Sequence, residues 1–162
     1  MGRLEEALRA RRDAGGRVFV PYVTGGYPGV DQGMLRRLAA AGADAIEIGI
    51  PFSDPVMDGG VIQEASAEAL RAGTRPRDVL AMIRRAALEV PVAVMTYANP
   101  VYRHGIDSFL DAAAEAGVTG VIVPDLPVDE STALEDAAAA RGLDAVLLAA
   151  PGIAAGRLGE IG

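Results

Sequence analysis

Two carboxylates fall where acid–base chemistry needs them. Glu47 interrupts the otherwise apolar run Ala45–Ile50, and Asp58 follows eleven positions later, after the turn-forming Pro51, Ser53, Asp54 and Pro55 and just before Gly59-Gly60. A glutamate inside a buried strand is costly unless something uses or satisfies it, because desolvation disfavours its charged form. An acid at the C-terminal end of a parallel strand, with another on the loop that follows, is an arrangement for proton transfer in an α/β enzyme. The spacing lets the loop fold back over the strand mouth, so both carboxylates can converge on one substrate. Taken singly, Glu47 also fits a strand glutamate held by a backbone or arginine partner, and Asp58 fits a common Asp-Gly turn.

The totals restrict what else the chain can do. Its 162 residues, 51% hydrophobic, suffice for one domain with a sizeable core. Aromatics make up only 4%, so Ala, Val, Leu and Ile must fill that core. A net charge of −7 without any basic block argues against nucleic acid or an anionic membrane as partner. With no cysteine there is no disulfide and no thiolate metal site, and a single histidine makes a histidine metal site or a Ser-His-Asp triad improbable. The charged amphipathic start lacks the apolar core of a signal peptide, and no apolar run approaches the roughly 20 residues of a membrane span. The expectation is a soluble, cytoplasmic protein without a metal.

The elements that must position the acids read as repeated βα units. A helix is expected over Arg3–Arg12, then a strand over Val18–Val23, too apolar to have a wet face but carrying the awkward Pro21. A helix over about Asp31–Ala41 precedes the strand Ala45–Ile50, and helices near Ile62–Arg71 and Pro76–Leu88 follow it. A strand over Pro91–Tyr97 leads to a helix capped by Asp107 and ended by Gly117. Strands over Val118–Pro124 and Asp144–Ala150 flank a helix opening at Asp129 or Glu130, and Ile153–Gly162 reads as the opening of another helix. Continuous apolar strands alternating with helices call for a parallel sheet. Two architectures fit: a five-stranded doubly wound sheet, or the first five units of a (βα)8 barrel, which needs about 250 residues.

Particular residues separate them. Ile46–Gly59, IEIGIPFSDPVMDG, closely resembles the signature of the tryptophan synthase alpha chain family. So do FVPYVTGGYP at Phe19–Pro28, AGADAIEIG at Ala41–Gly49, IQEASAEALRAG at Ile62–Gly73, MTYANPVYRHGID at Met95–Asp107, GVIVPDLPVDES at Gly120–Ser131 and LLAAP at Leu147–Pro151, in order along the whole chain. The resemblance implies a (βα)8 TIM barrel with an extra N-terminal helix, of which residues 1–162 form one incomplete domain lacking the last three units. It implies a carbon–carbon lyase of tryptophan biosynthesis, cleaving indole-3-glycerol phosphate to indole and glyceraldehyde 3-phosphate by a retro-aldol step. It implies no cofactor in this subunit, and a beta subunit as partner in an α2β2 assembly, carrying pyridoxal phosphate that condenses indole with serine.

Roles carry over position by position. Glu47 matches the general acid/base that moves a proton to indole C3, and Asp58 the group that accepts the indole N–H and stabilises charge developing on that nitrogen. Tyr22 matches an aromatic wall position that is often Phe; Met95, Ile122 and Ala149 (or Leu148) match apolar substrate contacts, and Tyr97 lies close to the acid pair. Asp54, Asn99 and Pro127 match positions that face the beta subunit, while Asp125 reads as structural or signalling and His104 as a surface residue without chemistry. Gly60 stands where the family usually has proline, and Gly152-Ile153 where it has two threonines; the family's lid, sixth-strand tyrosine and phosphate-binding glycines would lie past Gly162. Two other readings use the same residues: a shortened, non-catalytic chain that docks on and modulates a beta subunit, or another small-molecule-binding α/β domain.

Overall fold

The computed structural model describes residues 2–161. Helix α1 (Arg3–Asp13) comes first, and then β1 (Tyr22–Thr24), α2 (Gln32–Ala40) and β2 (Ile46–Gly49). Helices α3 (Gly60–Arg71) and α4 (Pro76–Ala86) lead to β3 (Val92–Met95), and α5 (Ala98–His104) and α6 (Ile106–Glu115) to β4 (Gly120–Ile122). The chain continues through α7 (Val128–Ala139) and β5 (Asp144–Val146) to α8 (Ala155–Ile161). All four strand pairs are parallel, and the spatial order is β1-β2-β3-β4-β5. A doubly wound sheet reverses strand order at a switch point. Here the order never reverses, which is the wall of a (βα)8 barrel, five units of it.

Alternation along each strand separates two faces. Ile46, Ile48, Val92, Val94 and Val121 point outward and are buried against Leu35, Val79, Ile83, Phe109, Leu110 and Leu134 of the helices. The opposite face carries Tyr22, Glu47, Ala93, Gly120 and Asp144 in one register layer, and Thr24, Gly49, Met95, Ile122 and Val146 in the next. A small separate cluster, Leu4, Ala45, Ala93 and Ile122 with Leu8, Met95 and Val146 packed on it, shows that α1 covers the lower part of this inner face. Gly120 leaves the room that Leu4 fills: a Cβ on it would meet Leu4 Cδ2 at 2.5 Å.

Helix α1 is held from the far end of the sheet. The Asp144 carboxylate accepts from the backbone N–H of Gly2 at 2.6 Å, Leu4 at 2.9 Å and Glu5 at 3.0 Å. These are donors that a helix N-terminus leaves without intrahelical partners, and a carboxylate suits its positive end. Asp144→Ala is expected to destabilise the protein by about 1–3 kcal/mol. Urea unfolding reads the loss, and hydrogen exchange should show it concentrated in the amides of α1; unchanged protection there would contradict the capping role.

Several elements differ from their sequence-based bounds. The segment Val18–Val20 was expected to be buried strand, yet these residues are 41%, 50% and 38% exposed and the ladder starts only at Tyr22. Pro21 has no N–H to donate, so the segment is tied to the β2 side by Asp44 N–H to Phe19 O, Phe19 N–H to Asp44 Oδ2 and Glu47 N–H to Pro21 O. Helix α5 was not anticipated. Its N-cap residue Tyr97 makes no side-chain cap, and the Ala98 N–H is taken instead by Asp125 Oδ1 at 2.9 Å, from the loop after β4. Asp107, expected to cap α6, sits inside its first turn and pairs with Arg141, just past α7, at 3.0 Å; the N-cap position is Gly105, at φ +88°. Strand β5 stops at Val146, short of the expected Ala150.

Candidate active site

Glu47 is the middle inward residue of β2, between Ala45 and Gly49, with Tyr22 of β1 and Ala93 of β3 as its register partners. Gly49, above it, has no room for a side chain, since a Cβ there would run into the Tyr22 hydroxyl. Thr24 Oγ1 lies 3.5 Å from that hydroxyl, at the outer limit of a hydrogen bond. The aromatic ring of Tyr22 thus leans across the strand end beside the glutamate.

The loop after β2 folds back over this mouth because it is pinned at several points. Met57 N–H donates to the Tyr97 hydroxyl at 3.0 Å, Asp58 N–H to Pro55 O at 3.1 Å, and Gln63 Nε2 to Asp58 O at 2.8 Å. The Phe52 ring stacks on Tyr97 with centroids 5.0 Å apart and planes 28° from parallel. Tyr97 itself is buried at the end of β3. Gly59 is the N-cap of α3 and Gly60 its first residue, both at ordinary backbone angles, so α3 starts directly after Asp58.

The electrostatics set the two acids apart. Burial pushes the Glu47 carboxyl above its ordinary range, and the negative charge of Asp58 pushes it further. No hydrogen bond or ion pair from any described residue reaches the Glu47 carboxylate. Asp58 is also raised by burial, but hydrogen bonding from the Tyr97 hydroxyl opposes the rise. Tyr22 and Tyr97 are both raised, each chiefly by burial, with Asp58 adding to the effect on both. Both acids therefore hold their protons more tightly than free carboxyls, and only Asp58 has a tyrosine hydroxyl that counters the effect.

The structure brings Tyr22, Glu47, Asp58 and Tyr97 together at the sheet mouth, with half-buried Met95 and buried Ile122 lining the inner face next to them. Ala149 is not part of this layer: it is exposed, past the end of β5, where Val146 is the inward residue. Asp54, Asn99 and Pro127 are all exposed and lie on the segments following β2, β3 and β4, on one rim around the mouth. Asp125 serves as the cap of α5, and His104 is exposed at that helix's C-terminus. Sequence reading overlooked Phe52 and Gln63. Gln63 at the start of a helix five residues past an acid was a usable sign; the Phe52 stack was not readable locally. Among the described residues, no group of three or more His, Cys, Asp or Glu could hold a metal ion, and no helix is long and apolar enough to cross a membrane.

Comparison with known proteins follows the same lines. The family profile described as Tryptophan synthase alpha chain matches residues 8–162. The tryptophan synthase alpha chain of Synechococcus elongatus is 42% identical over 165 aligned residues, covering 99% of this chain and 62% of the relative. The crystal structure of tryptophan synthase subunit alpha from Legionella pneumophila superposes with a TM-score of 0.92 at 36% identity, over 99% of this chain and 63% of that one. A chain of the α2β2 tryptophan synthase complex of Pyrococcus furiosus is similar at TM-score 0.82 and 40% identity, over 89% of this chain and 61% of that one. The chain thus spans about 62% of the length of the first of these relatives.

Proposed function

Since the chain belongs to the tryptophan synthase alpha chain family, we propose that the protein carrying it cleaves indole-3-glycerol phosphate to indole and glyceraldehyde 3-phosphate, with Glu47 and Asp58 as the working acids. The observation that supports this most is the half-buried Glu47 carboxyl at the strand mouth, without a partner among the described residues and raised by burial and by Asp58. A carboxyl that stays protonated toward neutral pH can deliver its proton to indole C3, which makes the ring an electron-poor indolenine. The same group, now a carboxylate, can take the proton of the adjacent carbinol hydroxyl as the C–C bond breaks. The electron pair of that bond returns to the ring, and indole and an aldehyde leave with no net gain or loss of protons. Asp58 accepts the indole N–H and offsets the positive charge that grows on nitrogen once C3 is protonated. Tyr97 positions Asp58, Tyr22 supplies an aromatic wall, and Met95 and Ile122 supply apolar contacts.

The reading includes a cytoplasmic setting and a beta subunit as partner, two copies of each in the assembly, received on the rim of Asp54, Asn99 and Pro127. Pyridoxal phosphate would belong to that partner. The test is indole release from indole-3-glycerol phosphate by the protein, alone and with a beta subunit, alongside calorimetric titration of the two. Turnover in either form supports the lyase; its absence in both overturns the proposal, and binding without turnover then leaves a docking chain.

A further inference from the structure

A concavity lies on the outer side of the barrel wall, and its lining includes Asn99 of the rim proposed to receive the beta subunit. It has a volume of about 690 Å3, within the usual range for small-molecule sites, and runs between the loop after β2, the start of α4 and the helices α5 and α6. Phe52, Leu80 and Phe109 form its apolar floor, and Arg75, Arg77, Arg103 and His104 stand around it. No Asp or Glu lines it among the described residues. Arg75 and Arg103 make no ion pair with any described residue, and Arg77 reaches only Asp78, at 3.9 Å. The chain has 22 acidic and 15 basic residues, so three arginines around one groove without an acidic lining run against the composition.

We infer that this groove is a binding site for a small aromatic carboxylate, its ring on Phe52, Leu80 and Phe109 and its anionic end between Arg75 and Arg103. Guanidinium groups match a carboxylate's two oxygens in geometry as well as charge, and they are more weakly hydrated than ammonium groups. The apolar floor rewards a ring, whereas an extended polyanion such as nucleic acid would reach past the groove onto a chain whose net charge is −7. Occupancy also touches the acid site. Phe52 forms part of the groove and stacks on Tyr97, whose hydroxyl takes the Met57 N–H next to Asp58. A ring seated on Phe52 therefore bears on the segment that positions that acid.

The probe is 3-phenylpropionate, titrated into the isotopically labelled protein at low salt and followed by amide NMR, with 3-phenylpropionamide as the neutral counterpart. Saturable shifts are expected at Arg75, Leu80, Arg103 and Phe109, extending to Phe52 and Met57. The affinity should fall by about tenfold or more for the amide and for the Arg75→Gln/Arg103→Gln variant. Because the readout is binding and not turnover, failure of the lyase reading leaves it untouched. Equal binding of acid and amide, an undiminished affinity in the double variant, or shifts confined to the inner face would each overturn the inference. So would silence up to ~10 mM probe, including the case in which the groove responds only to an added protein partner.

Discussion

Glu47→Gln is expected to lower indole release by a factor of about 10²–10⁴ while leaving the far-ultraviolet circular dichroism unchanged. The substitution keeps the shape of the side chain and removes the proton that must reach indole C3. No described residue bonds the Glu47 carboxylate, so the exchange breaks no structural contact, and the loss should appear in kcat and not in folding. Its effect on stability has a definite sign. The folded-state pKa of Glu47 lies above its ordinary value of 4.5, so the folded protein holds this proton at pH values where the unfolded chain has released it. Wild-type stability should therefore rise as pH falls from above the folded pKa toward 4.5, and that increment should be absent from the Gln variant. Undiminished turnover in the variant would remove Glu47 from the chemistry.

Asp58→Asn is the second large effect, about 10²–10³ in kcat. Asparagine can still accept from Tyr97, but it cannot offset positive charge on the indole nitrogen. It should also change Glu47: without the negative charge of Asp58, the Glu47 pKa drops toward the ordinary range, leaving burial as the cause that still holds it up. The pH–rate profile then separates two roles. If Asp58 acts both on substrate and on Glu47, kcat falls and the limb marking loss of the Glu47 proton moves to lower pH. A lower kcat with an unmoved limb would confine Asp58 to the substrate, and an unmoved kcat would exclude it.

The sequence by itself determined the repeated βα units, the inward glutamate of β2 and the loop acid eleven residues on. Each of these rests on local properties: apolar runs of strand length, helix-ending glycines, and turn residues at short spacing. Aspartate and glutamate could be recognised as a pair, but the absence of a partner for Glu47 could not, because it depends on what every other strand and helix places nearby. The choice between a doubly wound sheet and a barrel wall was likewise open to periodicity, since both use the same units and differ only in the spatial order of strands.

Other features were decided at longer range still. Helix α5 lacks a local cap and is secured by Asp125, 27 residues from Ala98, so its residues read as loop. Helix α1 is held by Asp144, 142 residues from Gly2, and the clamp on Met57 comes from Tyr97, 40 residues away. Val18–Val20 are exposed despite their hydropathy, because the ladder starts only at Tyr22, past a proline that cannot donate to it. Hydrogen bonds and burial are satisfied across strands and loops, and the side chains that satisfy them are chosen by the folded arrangement. Residue types and spacing could therefore name the acids, while only the folded arrangement could show that one has no partner among the described residues and the other is reached by Tyr97.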